Sequence, residues 1–175
     1  EAAQGHLVHN DDTHMRILEL TAKRNQGRPL RAAQPDRRGV FTTGILSLAG
    51  HRPPIALFFT GARHSGENVR DLLTRRLAEL PPPLQMCDAL SRNMPADLGT
   101  IIANCLSHAR RNFHELTHLF PAETLHVLEC LKNVYRIDET AKQRALSPDE
   151  RLRLHQDQSR PLMDALRHWM QAQFD

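Results

Sequence analysis

Three short stretches hold the residue types that could do chemistry. His9-Asn10-Asp11-Asp12-Thr13 and Gln85-Met86-Cys87-Asp88 each set a carboxylate beside or just past a run that predicts a β-strand. His108-Ala109-Arg110-Arg111-Asn112-Phe113 is a basic cluster some twenty residues beyond Asp88. Carboxylates converging from neighbouring strands hold a divalent cation, Mg²⁺ or Mn²⁺, beside a phosphodiester. Asp11 and Asp88 are therefore the candidate catalytic and metal-binding pair, with Asp12 as a further candidate ligand. The plainer readings are local. Asn-Asp-Asp-Thr is good turn sequence, and Asp88 is placed to cap a following helix. His108, Arg110 and Arg111 at a helix start suit a DNA phosphate, through guanidinium groups and the helix N-terminus; the alternative is a solvated basic face. Cys105-x2-His108-x5-His114-x3-His118 has zinc-like spacing, its last two histidines sharing a helix face, but no second cysteine pair accompanies it. Asp138-Glu139-Thr140 reads as a solvated helix face, and Trp169 as core.

These residues need elements to place them. Residues 7–20 predict two strand segments around a turn or bulge at the aspartates. Residues 21–38 read as loop, carrying Lys23, Arg24, Arg28, Arg31, Arg37 and Arg38 against one acid, Asp36. Val40 to Leu48 and Ile55 to Thr60 predict strands around a Gly50-His-Arg-Pro-Pro54 turn, and the unbroken apolar run of the second predicts burial on both faces. Ser65 or Gly66 opens a helix on Val69, Leu72, Leu73 and Leu77, stopped by Leu80-Pro-Pro-Pro83. Leu84 to Cys87 predicts a short strand ending at Asp88, followed by a short helix with Pro95 in its first turn. Ile101 to Cys105 predicts a fifth strand, and Ser107 or His108 opens a helix to about Phe120. Beyond it the pattern is helical throughout. Leu125, Leu128, Leu131 and Val134 share a stripe, and Leu162, Leu166, Trp169 and Met170 mark a last amphipathic helix. Ser147-Pro148-Asp149-Glu150 is a helix start with serine as N-cap, proline at the first position and glutamate at the third.

The bulk numbers fit one soluble, globular chain. Its 175 residues are 40% apolar and 25% charged, with only 5% aromatic, so aliphatic side chains must fill the core. Net charge is +3, but residues 1–114 hold 15 Lys/Arg against 10 Asp/Glu, and residues 115–175 hold 8 against 10. The first part is thus the better candidate for facing phosphates. Three cysteines with no close pair predict reduced thiols in a cytoplasmic setting. No apolar run approaches the roughly 20 residues of a membrane span. The chain opens on Glu1 and closes on Asp175 within a helical pattern, as expected of a segment of a longer protein.

Three strands in hairpin order, then helix, strand, helix, strand and helix, predict a mixed α/β domain. The ribonuclease H-like fold has this order, a mixed five-stranded sheet with flanking helices and carboxylates near the ends of its first and fourth strands. Residues 1–114 would form that core, and residues 115–175 an all-helical insertion.

Five segments, in order, carry a resemblance that covers nearly the whole chain. They are Asn10-Asp-Asp-Thr13, Ile55-Ala-Leu-Phe-Phe-Thr-Gly-Ala-Arg-His-Ser-Gly-Glu-Asn68, Leu80-Pro-Pro-Pro-Leu-Gln-Met-Cys-Asp-Ala-Leu-Ser-Arg92, Cys105-Leu-Ser-His-Ala-Arg-Arg-Asn-Phe113 and Leu146-Ser-Pro-Asp-Glu-Arg-Leu152. Together they resemble transposases of the insertion-sequence-66 family. The resemblance implies a bacterial acidic-triad enzyme with divalent metal, acting on transposon ends and target DNA, and leaves a homo-oligomer open. The family's first carboxylate falls on Asp11, with Asp12 standing where the family has Glu. Its second falls on Asp88, and its Cys-x2-His-x-Arg-Arg signature on Cys105, His108, Arg110 and Arg111. The third acid, in an Asn-x-x-x-Glu-Arg-like motif, has no counterpart here. The expectation is a core fragment that binds metal weakly and does not complete strand transfer alone. The rival expectations are a DNA-binding remnant without catalysis and a related metal-dependent nuclease.

Overall fold

The computed structural model describes residues 1–14, 26, 40–50, 52–94 and 99–174. They form two compact units, Glu1–Cys105 and Leu106–Asp175. The division falls ahead of the helix that starts at Leu106, whereas the sequence reading drew it after that helix. The strand segment expected at Met15–Leu20, nearly all of the basic loop 21–38, and the helix expected around Pro95 lie outside the described residues.

The first unit is a mixed α/β unit. Its strands are β1 (Leu7–His14), β2 (Phe41–Leu48), β3 (Ile55–Gly61), β4 (Leu84–Cys87) and β5 (Ile101–Asn104), with helix α1 (Ser65–Leu73) between β3 and β4. They make a five-stranded sheet in the order β3-β2-β1-β4-β5. β1 to β3 pair antiparallel, while β4 and β5 continue parallel to β1. β1 does not turn at the aspartates. Its ladder with β2 runs unbroken from Leu7↔Leu48 to His14↔Phe41, so the expected bulge is corrected to continuous strand. A second correction concerns β3, which lies at the sheet edge with Phe58 75% exposed. Its apolar run reflects edge position, not burial on both faces.

Strand alternation decides which side chains enter the core. Val8 of β1 and Ile45 of β2 pack with Val69 and Leu73 of α1, and Leu57 and Leu72 close the edges of this cluster. Burying each such side chain is worth about 1.5–3 kcal/mol. Further along the same face the interior turns polar: Asn10, Thr43, Ser65, Asn68 and Gln85 are all buried. Buried polar groups must be hydrogen-bonded, and these bond to one another, as described below.

α1 ends at Leu73, short of Leu77, which is 52% exposed. The N-terminal segment supplies the reason. Gln4 accepts from the Leu77 N–H at 3.0 Å and donates to the Arg75 carbonyl at 2.8 Å, and Arg76 donates to the carbonyls of Ala3 and Gly5. The start of α1 is equally constrained. A Cβ on Gly66 would sit 2.4 Å from the Arg92 carbonyl oxygen, in the 3₁₀ turn Ser91–Asn93. On helix propensity alone, alanine is better than glycine by about 1 kcal/mol. Here the obstacle is backbone, so Gly66→Ala is expected to destabilise the unit by about 1–3 kcal/mol. The midpoint of urea unfolding reads this, and a gain in stability would contradict the packing.

The second unit is helical: α2 (Leu106–Glu115), α3 (Pro121–Gln143), α4 (Pro148–Leu154), a π-helical turn His155–Ser159, and α5 (Arg160–Gln171). Val127, Leu131 and Leu166 form its centre, with Phe113, Met163 and Trp169 packed around them. Ser147 caps α4 as expected: Glu150 accepts from the Ser147 N–H at 2.9 Å while Ser147 Oγ accepts from the Glu150 N–H. Asp138 is not simply solvated. It pairs with Lys142, Arg151 and His155, joining α3 to α4 and the π turn. Burial raises its carboxyl pKa, but Lys142 and Arg151 outweigh that and hold it below the ordinary carboxylate value. α3 ends in a left-handed residue, Ala145 at φ 48°. The Leu146 N–H to Ala141 carbonyl bond, 3.1 Å, closes the helix. Alanine pays roughly 1 kcal/mol there that glycine does not, so Ala145→Gly is expected to raise stability by about 1 kcal/mol, seen as a higher thermal midpoint. No helix among the described residues is long and apolar enough to cross a membrane.

Candidate functional site

Because β1 runs straight through them, Asp11 and Asp12 point to opposite faces of the sheet. Asp12 shares the face of Val8 and Asn10, under α1. Its side chain is 7% exposed. Oδ1 accepts from Thr43 Oγ1 at 2.7 Å, and Oδ2 accepts from the Ser65 N–H at 3.0 Å and lies 3.3 Å from His64 Nδ1. A carboxylate at the first turn of a helix satisfies an orphan N–H and complements the helix dipole. His64 packs at a tilt against Phe41, which also meets His14 at a tilt. Thr43 in turn accepts from Asn68 Nδ2 at 2.8 Å. Asp12 is thus tied into protein partners that join β1, β2 and α1.

Asp11 lies on the other face and is exposed. β1 pairs parallel with β4 through Leu7↔Leu84, Val8↔Gln85 and His9↔Met86. The pairing stops there; Asp11 continues β1 beyond it, and Asp88 is the first residue past the end of β4. Burial pushes the Cys87 thiol pKa up, and the charges of Asp88 and Asp11 push it further, with a smaller contribution from Cys105. Both carboxylates therefore act on one buried side chain. The thiol so raised stays protonated and adds no charge of its own. β5 completes this edge of the sheet, its Cys105 N–H donating to the Cys87 carbonyl at 2.8 Å.

Asp88 is not an N-cap, since the 3₁₀ turn Ser91–Asn93 is capped by Leu90, but its side chain makes a local turn. Its Oδ1 accepts from the Leu90 N–H at 3.3 Å, just ahead of Ser91–Asn93. The same oxygen accepts from Asn93 Nδ2 at 2.6 Å. Behind Asn93 stands a network that the sequence reading missed. The Asn93 carbonyl accepts from Asn10 Nδ2 and from Gln85 Nε2, each at 3.0 Å. Gln85 Nε2 also donates to Asn10 Oδ1 at 2.9 Å, Asn10 Nδ2 donates to Ser65 Oγ at 2.9 Å, and Thr100 Oγ1 donates to Gln85 Oε1 at 3.0 Å. The available signal was an amide at an inward position of each strand, Asn10 in β1 and Gln85 in β4.

The other candidates lie on the second unit. α2 begins at Leu106, so Arg110 and Arg111 occupy its second turn, both exposed, with His108 half-buried. α2 ends at Glu115, which takes His118 off the helix face that His114 was expected to share. Among the described residues no group of three or more His, Cys, Asp or Glu is arranged to hold a metal. The zinc spacing is thus not assembled as a site, and no third acid joins Asp11 or Asp88 among the described residues. The family model of the Transposase IS66 family matches residues 1–175. No curated protein and no solved structure matches the chain.

Proposed function

Since the chain belongs to the Transposase IS66 family, we propose that it forms the catalytic core of a DNA transposase, on a ribonuclease H-like sheet, with Asp11 and Asp88 as its divalent-metal carboxylates. The observation that carries this reading is that β1 and β4 are parallel neighbours, with Asp11 in β1 and Asp88 just past the end of β4, although the two lie 77 positions apart in the chain. The strand order, with an antiparallel hairpin pair followed by two parallel strands, supports the fold assignment.

The donor set fits the cation. Two carboxylates offer hard oxygen ligands of the kind Mg²⁺ and Mn²⁺ take, with the remaining positions left to water and phosphate oxygens. When bound, the cation supplies charge neutralisation at phosphorus and acidifies a coordinated water. The protein's own part is positional. Asp11 is held by the continuous β1–β2 ladder, and Asp88 by its bonds to Leu90 and Asn93. Attack of water on phosphorus breaks the P–O3′ bond and frees a 3′-hydroxyl at the transposon end; that hydroxyl then attacks a target phosphorus in line, and the new phosphodiester forms as the target strand's 3′-oxygen leaves. Arg110 and Arg111 are the side chains to which we assign phosphate contact, as guanidinium groups that match it geometrically. Asp12 is assigned a bracing role under α1, not a ligand role. Residues 1–114 as core and 115–175 as insertion remain the functional division we propose, and two acids without a third are expected to bind metal weakly and not to complete strand transfer.

Mn²⁺ titration of the chain, followed by the loss of the free-ion paramagnetic resonance signal, tests the reading. Asp11→Asn and Asp88→Asn should each weaken binding more than the roughly 10–100-fold that an outer partner is worth. Unchanged binding in both variants would refute it. The two-acid count favours one rival, a DNA-binding remnant without catalysis. That rival predicts DNA binding with no Mn²⁺ dependence and no end cleavage in the protein that contains this chain.

A further inference from the structure

The bonds around Asp88 carry a consequence for a residue outside the acid pair. Asn93 is 1% exposed, and its Nδ2 donates to Asp88 Oδ1 at 2.6 Å. Among the described residues its own Oδ1 has no hydrogen-bond partner. The side-chain amide is therefore oriented by Asp88 alone, at the expense of a buried unsatisfied oxygen that costs about 1–3 kcal/mol. Such a cost is not explained by stability. The Asn93 backbone is anchored independently of its side chain, through its carbonyl to Asn10 and Gln85 and its N–H to Leu90. Gly66 packs against the same turn, with no room for a Cβ. Both bonds to Asp88, from Leu90 and from Asn93, end on Oδ1 and neither on Oδ2.

We propose that Asn93 is a positioning residue for Asp88: it commits Oδ1 to the protein, fixes the carboxylate rotamer, and leaves Oδ2 to the divalent cation. This rests on the metal reading above. Outer-shell partners orient ligands and are worth about 10–100-fold in metal affinity. The buried network of Gln85, Asn10 and Ser65 then serves to hold the Asn93 backbone, so that position 93 is rigid when its side chain reaches Asp88.

The test is Mn²⁺ binding to the full chain without DNA, in the wild type and in Asn93→Leu, Thr43→Val and Asp88→Asn. Asn93→Leu keeps the number of side-chain heavy atoms and the backbone bonds, is bulkier, and removes the amide donor together with its unpaired oxygen, so affinity should fall about 10–100-fold. Thr43→Val removes buried hydrogen bonds to Asp12 and Asn68, away from Asp88 and Asn93, so it should change stability but leave affinity within about twofold of wild type. Asp88→Asn separates the two claims. If it leaves binding unchanged, the metal reading fails and this inference with it. If it abolishes binding while Asn93→Leu does not weaken it, Asn93 is merely structural. A second measurement needs no variant. On Mg²⁺ titration of the wild type, the Asn93 side-chain amide resonances should shift together with those of the Asp88 and Asp11 backbone. An Asn93 amide that does not respond while Asp88 does would overturn the proposal even if Asn93→Leu failed to fold.

Discussion

Asp88→Asn, placed in the transposase that contains this chain, is expected to lower transposon-end cleavage by roughly 10³-fold or more, the rate equivalent of the several kcal/mol that a metal carboxylate supports. Asparagine is the informative replacement. Its carbonyl oxygen can still accept from Asn93 and Leu90, the partners of Asp88 Oδ1, so the turn and its packing survive and only the charge is lost. Asp11→Asn should have a comparable effect if, as proposed, the two acids hold one cation from the neighbouring strands β1 and β4. The double variant should then be no worse than either single one, because groups that act as a unit are not additive. Losses that multiplied instead would place the two acids in separate roles.

Asp12→Ala should behave in the opposite way, sparing Mn²⁺ affinity at the expense of stability. It would strip the partner from the Ser65 N–H and from Thr43 Oγ1, both in contact with a carboxylate that is only 7% exposed. Hydrogen bonds to a charged group are worth about 1.5–3 kcal/mol each, and part of that returns through water reaching the site. A loss of about 3 kcal/mol is expected, measured by urea unfolding. Thr43→Val should reproduce part of it, and the two should couple in a double-mutant cycle. A stable Asp12→Ala protein with weakened Mn²⁺ binding would instead make Asp12 a ligand.

The contrast between neighbours Asp11 and Asp12 shows how far the sequence could be read. The spacing of Val69, Leu72 and Leu73 was sufficient to place α1, and the Ser147-Pro148-Asp149-Glu150 signature its helix start, because both are local. The strands were legible for the same reason. What the aspartates do was not, because Asn-Asp-Asp-Thr suits a turn as well as a strand, and only the β2 ladder decides between them. Once the strand is continuous, alternation alone sends the two carboxylates to different faces. The edge position of β3 and the early end of α1 have the same character. The first depends on strand order, and the second on Gln4 reaching residues 75 and 77. Asn93 was missed because its partners Asn10 and Gln85 are distant in sequence or on another element, and no spacing rule marks a buried amide as useful. The family resemblance falls on Asp11 and Asp88 directly, and strand alternation adds why Asp11 and Asp12 face different sides of the sheet.

The central claim is that Asp11 and Asp88 grip one cation between β1 and β4. Crystals of the chain soaked in Mn²⁺ and measured at an anomalous wavelength test it most directly. The account predicts a single strong anomalous peak between the two carboxylates, with Asp88 Oδ2 and Asp11 as ligands and Asp88 Oδ1 still bonded to Asn93. Carboxylates turned away from each other, with bound Mn²⁺ elsewhere on the molecule, would contradict it.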